Sequence, residues 1–208
     1  MAKKLSYFNG NGFAEPIRYM LHYGGQKFED VRYDHSKWPI ASVKESLPFG
    51  QMPLYEEGDR SLHQSLAIAR YIASQTGLLP SDPWKQAILD AAALTLYDFY
   101  TKSKPYDFLT ENDQSKKDAH LKHLMEEHVP YFFSRFEKQL KANNGHFGTK
   151  LSWADFILVG IVEVANLLYN TSVEKGYPTI EALLEEIRTL PNVKEYIAAR
   201  EPYSFARK

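Results

Sequence analysis

The sequence predicts an α/β half followed by an all-α half, and three observations carry that prediction. Strand-like runs alternate with stretches of helical spacing up to about residue 77, and beyond that point strand signals stop. The segment LLPSDP at 78–83 is turn chemistry with two prolines, the composition expected of a linker. Every apolar pattern after it has helical period. The expected organisation is therefore a first domain over 1–77, a linker at 78–83 and a helical domain over 84–208.

The elements of the first half follow in order. Lys4 to Phe8 is a short strand with Tyr7 near its exit, and Asn9-Gly10-Asn11-Gly12 is a loop with two glycines able to take positive φ. Ile17, Met20 and Leu21 have helical spacing, Pro16 suits a first turn and Gly24-Gly25 a stop. Phe28 to Asp34 alternates as a second strand, and Trp38 to Ser46 is a short helical or irregular piece.

The stretch from Pro48 to Tyr71 then reads turn, strand, tight turn, strand, helix. Leu54 and Tyr55 favour a strand, Glu57-Gly58-Asp59 is a hairpin turn, and Ser65 is the expected cap of a helix carrying Leu66, Ile68, Ala69 and Ile72. The order βαβ, short helix, ββα joins a parallel unit to an antiparallel one. That makes a four-stranded mixed sheet with helices on its faces, the thioredoxin-like arrangement.

This stretch also has the makings of a peptide site. A proline opening a strand gives no N–H to the ladder, and a cis Met52-Pro53 bond would turn the Met52 N–H and C=O toward an extended guest. Gln64-Ser65 at a helix N-terminus offers N–H groups and a dipole that favour a carboxylate. The alternative is a structural proline and an ordinary cap.

In the second half, Trp84 to about Tyr106 is helical, with Pro105 ending or kinking it. Lys116 to Asn143 is a second long helix with a bend at Pro130. Ser152-Trp153-Ala154-Asp155 fits a capping box, Leu151 and Phe156 a hydrophobic staple, and the apolar run to Leu168 predicts a helix buried on all sides. Thr179 to Thr189 and Pro191 to Arg200 complete the set, and the tail carries Tyr203 and Phe205.

Composition narrows the partners. In 208 residues, 44% hydrophobic content supports a packed core, and a net charge of −1 with no basic stripe argues against nucleic acid. With no cysteine, the protein has no disulfide, thiolate metal site or cysteine nucleophile of its own, so any thiol chemistry must use a ligand's thiol. No window is long and apolar enough for a membrane span and MAKKLSYF lacks an apolar signal region, so a cytoplasmic protein without membrane contact is expected. His120, His123 and His128 lie on one polar helix, and His120 and His123 share a face; with no third ligand in view, a solvated face is expected and no metal.

Several motifs taken together are specific: KLSYFNGNGFAEPIRYML at 4–21, WP at 38–39, LPFGQMP at 47–53, HQSLAIARYIA at 63–73, YDF at 97–99 and LSWADF at 151–156. Over essentially its whole length the chain resembles a sigma-class glutathione S-transferase, the class that includes haematopoietic-type prostaglandin D synthases and S-crystallins. The resemblance implies glutathione as co-substrate, with no metal required, and a homodimer acting on small hydrophobic electrophiles. It implies Tyr7 as the catalytic residue, its hydroxyl donating to the glutathione sulfur. Met52 would pair through its backbone with the cysteinyl part after the Pro53 turn, and Gln64 and Ser65 would hold the γ-glutamyl carboxylate. Trp38, Lys44 and Gln51 would bracket the glycyl end, and Asp98 would reach the ligand's amino group across the dimer interface.

A hydrophobic pocket would be formed by Phe8, Gly10, Phe13, Tyr100, Ile157 and Ile161, although at helical spacing such residues are as readily core. Two loop positions where many members of the class carry arginine read Asn11 and Phe13, which removes a possible stabiliser of the thiolate and makes the pocket mouth more apolar. A non-catalytic ligand-binding or structural role, as in the S-crystallins, is the alternative.

Overall fold

The computed structural model describes residues 1–200 and 203, the Tyr106 side chain excepted. Phe205 of the expected tail lies outside the described residues. The chain divides into two compact units, one from Met1–Leu79 joined by the segment from Thr189, the other Pro80–Arg188.

The first unit contains the expected mixed sheet. Strands β1 (Lys3–Phe8), β2 (Glu29–Tyr33), β3 (Leu54–Glu57) and β4 (Arg60–His63) lie in the order β2-β1-β3-β4, with β1 and β2 parallel and the other pairs antiparallel. Leu5 and Ser6 of β1 are both buried, as befits a central strand covered on two faces. Helix α1 (Glu15–Tyr23) packs on α3 (Ser65–Thr76), and α2 (Ala41–Ser46) is a short exposed turn of helix between β2 and β3. Ile17, Met20 and Leu21 of α1 and Ile68, Ala69, Ile72 and Ala73 of α3 have no exposure. Each of the larger side chains contributes about 1.5–3 kcal/mol by leaving water. Gly77 ends α3 with φ +75°, a left-handed C-cap that a glycine adopts without strain.

The last helix, α10 (Pro191–Ala199), packs on α1 and so groups with this unit rather than with the helices before it in sequence. Its Tyr196 ring stacks on His22 with centroids 4.3 Å apart.

The second unit is helical. Asp82 caps α4 (Pro83–Lys102) by accepting from the Lys85 N–H at 2.9 Å. This helix stops at Lys102, earlier than expected: Lys104 adopts φ +49°, and α5 (Pro105–Thr110) starts at the proline. A residue before proline is disfavoured in the right-handed helical region, so the break precedes Pro105.

The expected long helix is a continuous helical path in three parts, α6 (Gln114–His123), a π-helical turn at Leu124–His128, and α7 (Val129–Ala142). Pro130 has no N–H and its ring would strike the carbonyl four residues back, and the wider turn just ahead of it is where the helix absorbs this.

Helix α8 (Trp153–Tyr169) packs on α4 and begins with the Asp155 half of the capping box, the Ser152 N–H donating to Asp155 Oδ2 at 2.7 Å. Its burial is complete only to Val162. Glu163 pairs with Arg188 at 2.8 Å, and Leu167 is exposed, so the C-terminal part has a solvent side. Helix α9 (Pro178–Thr189) is capped by the buried Glu137, which accepts from the N–H groups of Thr179 and Ile180.

Candidate active site

The strand register brings the sequence-predicted residues of the first unit to one end of its sheet. Ser6 faces Leu54, and Leu54 faces His63. Because both pairings are antiparallel, Tyr7 follows Ser6 toward the end of the sheet where Met52 and Pro53 lead into β3 and where Gln64 and Ser65 follow β4. Strand β2 runs parallel to β1 with Arg32 beside Tyr7, so its exit leads to Trp38 at the same end. Four connections separated by up to 58 positions in sequence, Tyr7 to Ser65, thus converge because of sheet topology alone.

Tyr7 is held by the loop that follows it. The Phe13 N–H donates to the Tyr7 hydroxyl at 3.3 Å, and the Asn11 side chain accepts from the Gly12 N–H at 2.9 Å, closing a single 3-10 turn over Gly12–Ala14. A phenol that accepts a hydrogen bond donates more strongly through its own proton. Asn11 is buried and serves this turn.

Beneath the loop lies Arg18, whose side chain has no exposure. Its guanidinium is 6.0 Å from the Tyr7 ring centre, and its Nη1 donates to the Gly10 carbonyl at 2.8 Å and to Glu15 at 3.1 Å. Its Nε donates to Asp30 at 3.1 Å. Burial works against this charge, but Glu15 and Asp30 outweigh burial and raise the arginine's pKa further. A fixed cation therefore lies behind the tyrosine even though the loop itself has none.

Phe8 and the half-buried Trp38 meet edge to face, centroids 5.3 Å apart, and the His35 ring also meets Phe8 edge to face at 4.9 Å. Gly10 is buried and Phe13 half-buried. Lys44 and Gln51 are exposed, and the Lys44 stem passes close to Gly50, where its Cε would be 3.3 Å from an added Cβ. The Met52-Pro53 bond is cis, with Pro53 buried and Met52 half-buried; Trp38-Pro39 is a second cis bond.

At the start of α3, Gln64 and not Ser65 takes the cap position, and Ser65 is the buried first residue of the helix. The Gln64 side chain makes no cap bond, which leaves the N–H groups of the first turn without a capping acceptor from that residue. Gln64 has φ +71° and ψ 112°, a backbone conformation costing about 1–3 kcal/mol for a non-glycine residue. Such outliers persist where a structure needs a side chain aimed in a particular direction.

Asp98, Tyr100, Ile157 and Ile161 belong to the other unit. Asp98 is exposed and lies 3.6 Å from Lys102 one turn along α4, Tyr100 is half-buried, and Ile157 and Ile161 are buried one turn apart on α8. Of the histidines, His120 contacts the Ser103 carbonyl through Nε2 at 2.8 Å and His123 lies 3.1 Å from Glu127. Among the described residues no cluster of three or more ligating side chains could hold a metal ion.

Sequence reasoning missed Arg18, Glu15 and the strain at Gln64. The signal for the first two was an i, i+3 acid–base pair interrupting the apolar face of α1 beside Ile17 and Met20; a charge there must be paired if it is to be buried.

The glutathione S-transferase N-terminal domain model matches residues 3–74 and the glutathione S-transferase C-terminal domain model residues 98–200. A glutathione S-transferase of Anopheles gambiae is 34% identical over 198 residues, covering 95% of this chain and 96% of that one. The chain belongs to the glutathione S-transferase family. As a glutathione S-transferase it also resembles the solved prostaglandin synthase D of Nilaparvata lugens, at TM-score 0.88 and 34% identity over 97% of this chain and 100% of that one. A monomeric glutathione S-transferase of the hookworm Necator americanus aligns at TM-score 0.84 and 31% identity, covering 99% of this chain and 100% of that one. The likeness thus spans both halves of the chain. Among the described residues no helix is long and apolar enough to cross a membrane.

Proposed function

We propose that Tyr7 activates glutathione by donating a hydrogen bond to its sulfur and holding it as the thiolate. The thiolate sulfur then forms a bond to an electrophilic carbon of a small hydrophobic substrate, whose displaced electron pair leaves with a leaving group or takes up a proton. The observation that carries this reading is the convergence of Tyr7, the Met52-Pro53 turn and the uncapped start of α3 at one end of the sheet.

Met52 pairs with the cysteinyl backbone of glutathione, Gln64 and Ser65 hold its γ-glutamyl carboxylate, and Trp38, Lys44 and Gln51 bracket its glycyl end. Phe8, Gly10 and Phe13 line the electrophile pocket. Glutathione and the electrophile are the only small molecules the scheme requires. The reading includes sigma-class membership and a homodimer in which Asp98 of one copy serves the site of the other; sedimentation distinguishes that from the monomer described for the hookworm relative. Isomerisation of a prostaglandin endoperoxide by the same thiolate is a second activity, favoured by the likeness to the Nilaparvata lugens synthase.

Lowering a thiol pKa by about two units from near 8.5 requires about 3 kcal/mol, which one or two hydrogen bonds to a charged acceptor supply. The test is the thiolate absorbance of bound glutathione against pH, with conjugation of an aryl halide, in the wild type and in Tyr7→Phe. The variant is expected to bind glutathione and to titrate about two units higher, with a lower rate at neutral pH that recovers in part as pH rises. Equal titration and equal rates in the two proteins would remove Tyr7 from the role. A wild type that binds glutathione but leaves its thiol at the free value has the non-catalytic, ligand-binding role, a reading that Phe13 in place of a cation favours.

A further inference from the structure

The charges behind Tyr7 extend to the last helix. Glu15 has a fully buried side chain, and its two oxygens are divided between two arginines. Oε2 accepts from Arg18 Nη1 at 3.1 Å; Oε1 accepts from Arg200 Nη1 at 2.5 Å and from the Tyr196 hydroxyl at 3.0 Å. Arg200 Nη1 also donates to the Tyr19 hydroxyl at 2.8 Å, and its guanidinium carbon lies 5.8 Å, 5.9 Å and 4.7 Å from the ring centres of Tyr19, Tyr196 and Tyr203. On the other flank, Asp30 pairs with Arg18 and with Arg32, the latter at 2.7 Å. Three arginines against two carboxylates leave the cluster one positive charge in excess.

We infer that Arg200 is a positioning residue for thiol activation, acting through Glu15 and Arg18 on the loop that carries the Tyr7 hydrogen bond. The inference rests on the role proposed for Tyr7. Arg18 satisfies Glu15, Asp30 and the Gly10 carbonyl together with its guanidinium 6.0 Å from the Tyr7 ring centre. Glu15 sets that orientation, and Glu15 is itself fixed because its second oxygen is taken by Arg200. A buried carboxylate stripped of one of two cations moves toward the remaining one or takes up a proton, and both outcomes pull on Arg18. Removing Arg200 also cancels the cluster's excess positive charge, weakening a field that favours negative charge at the mouth of the site. The carbonyl partners of Arg18, Gly10 in the loop and Phe8 at the end of β1, lie on either side of Asn9 at N–O distances of 2.8 Å and 3.5 Å, so a shift of the Arg18 guanidinium is transmitted directly to the loop leaving Tyr7.

A purely structural arginine, joining α10 to α1, would affect stability alone. The experiment is therefore the titration of bound glutathione by thiolate absorbance, with kcat/KM for an aryl halide and thermal unfolding, in the wild type, Arg200→Met, Arg200→Gln and Arg200→Lys. Arg200→Met is expected to raise the thiol midpoint by about 0.5–1 unit and lower kcat/KM at neutral pH by about three- to tenfold, with the glutathione KM little changed. Arg200→Gln keeps a donor for Glu15 while removing the charge and is expected to shift the midpoint in the same direction, so the test survives if Arg200→Met does not fold. Arg200→Lys is expected to recover most of the wild-type midpoint. Variants that melt earlier while their bound thiol titrates with the wild type would overturn the inference. A wild type whose bound thiol titrates at the free value fails on the Tyr7 reading itself, and the role of Arg200 falls with it.

Discussion

Gly12 lies so close against Tyr7 that a Cβ at position 12 would stand 2.5 Å from the Tyr7 hydroxyl oxygen and 3.0 Å from the ring. The loop and the hydroxyl therefore form one packed unit, with the Phe13 N–H aimed at the same oxygen. Position 12 also has φ +41°, where an L side chain is strained whatever the space around it.

Gly12→Ala tests how tightly the hydroxyl must be held. The added methyl displaces either the loop or the phenol, and a misplacement of about 1 Å at a reacting centre costs on the order of a hundredfold in rate. Expected is a fall of kcat/KM by about one to two orders of magnitude, with about 1–2 kcal/mol lost in stability. Measuring both on the same preparation separates them. A variant as active as the wild type would show that the loop yields freely and that the contact has no bearing on chemistry.

Gln64→Gly makes a prediction with two opposite signs. Glycine adopts φ +71° without penalty, so relief of strain at the cap position, offset by the greater freedom of the unfolded chain, is expected to stabilise the protein by about 1 kcal/mol. The side chain proposed to hold the γ-glutamyl carboxylate is lost in the same step, so the glutathione KM is expected to rise about tenfold while kcat changes less. Denaturant unfolding without ligand reads the first effect and steady-state kinetics the second. A rise in KM accompanied by a loss of stability would mean that the glutamine conformation is not strained; an unchanged KM would remove Gln64 from the site.

What could be read from the sequence was local. Tyr7 stands at a strand exit because Asn9 and Gly10 punctuate the run, and Gly58-Asp59 forces the hairpin that brings Gln64 back beside Pro53. The sheet register follows once β3 and β4 are paired. The unread features depend on partners distant in sequence. Arg18 is tolerable inside the unit only because Asp30 reaches it from β2, and Glu15 only because Arg200 reaches it from α10, 185 positions away. No periodicity reports such a pairing. Ser65 was expected to cap α3 because serine is a good cap, but the chain emerges from β4 one residue out of step with that choice, and Gln64 takes the cap with an unusual φ. Pro105 marked a helix boundary correctly in kind, but the left-handed turn at Lys104 moved it back toward Lys102.

The last prediction concerns Asp155, the buried acid of the α8 capping box. It accepts from the Phe147 N–H at 2.9 Å and from the N–H and hydroxyl of Ser152 at 2.7 Å and 2.8 Å, with His146 Nδ1 at 3.8 Å. Burial penalises the charged form more than these donors and His146 favour it, and the carboxyl is pushed up from 3.8 to about 6. The folded protein therefore holds this proton more tightly than the unfolded chain does. The stabilisation linked to it is full below the unfolded value, declines as pH rises toward 6, and is gone above it. From this group alone stability should increase on acidification from pH 6 to 4, by at most about 3 kcal/mol for a shift of about two units. Paired carboxylates elsewhere, such as Glu137, whose pKa lies below the ordinary value because its hydrogen bonds and Lys141 outweigh its burial, act in the opposite direction. The contribution of Asp155 is thus measured by difference. Asp155→Asn turns an amide toward the Ser152 donors and is expected to lower Tm at every pH, but the gap between wild type and variant should widen as pH falls from 6 to 4. A gap that is constant or narrows on acidification would mean that Asp155 ionises normally inside the fold, its three hydrogen bonds outweighing its burial.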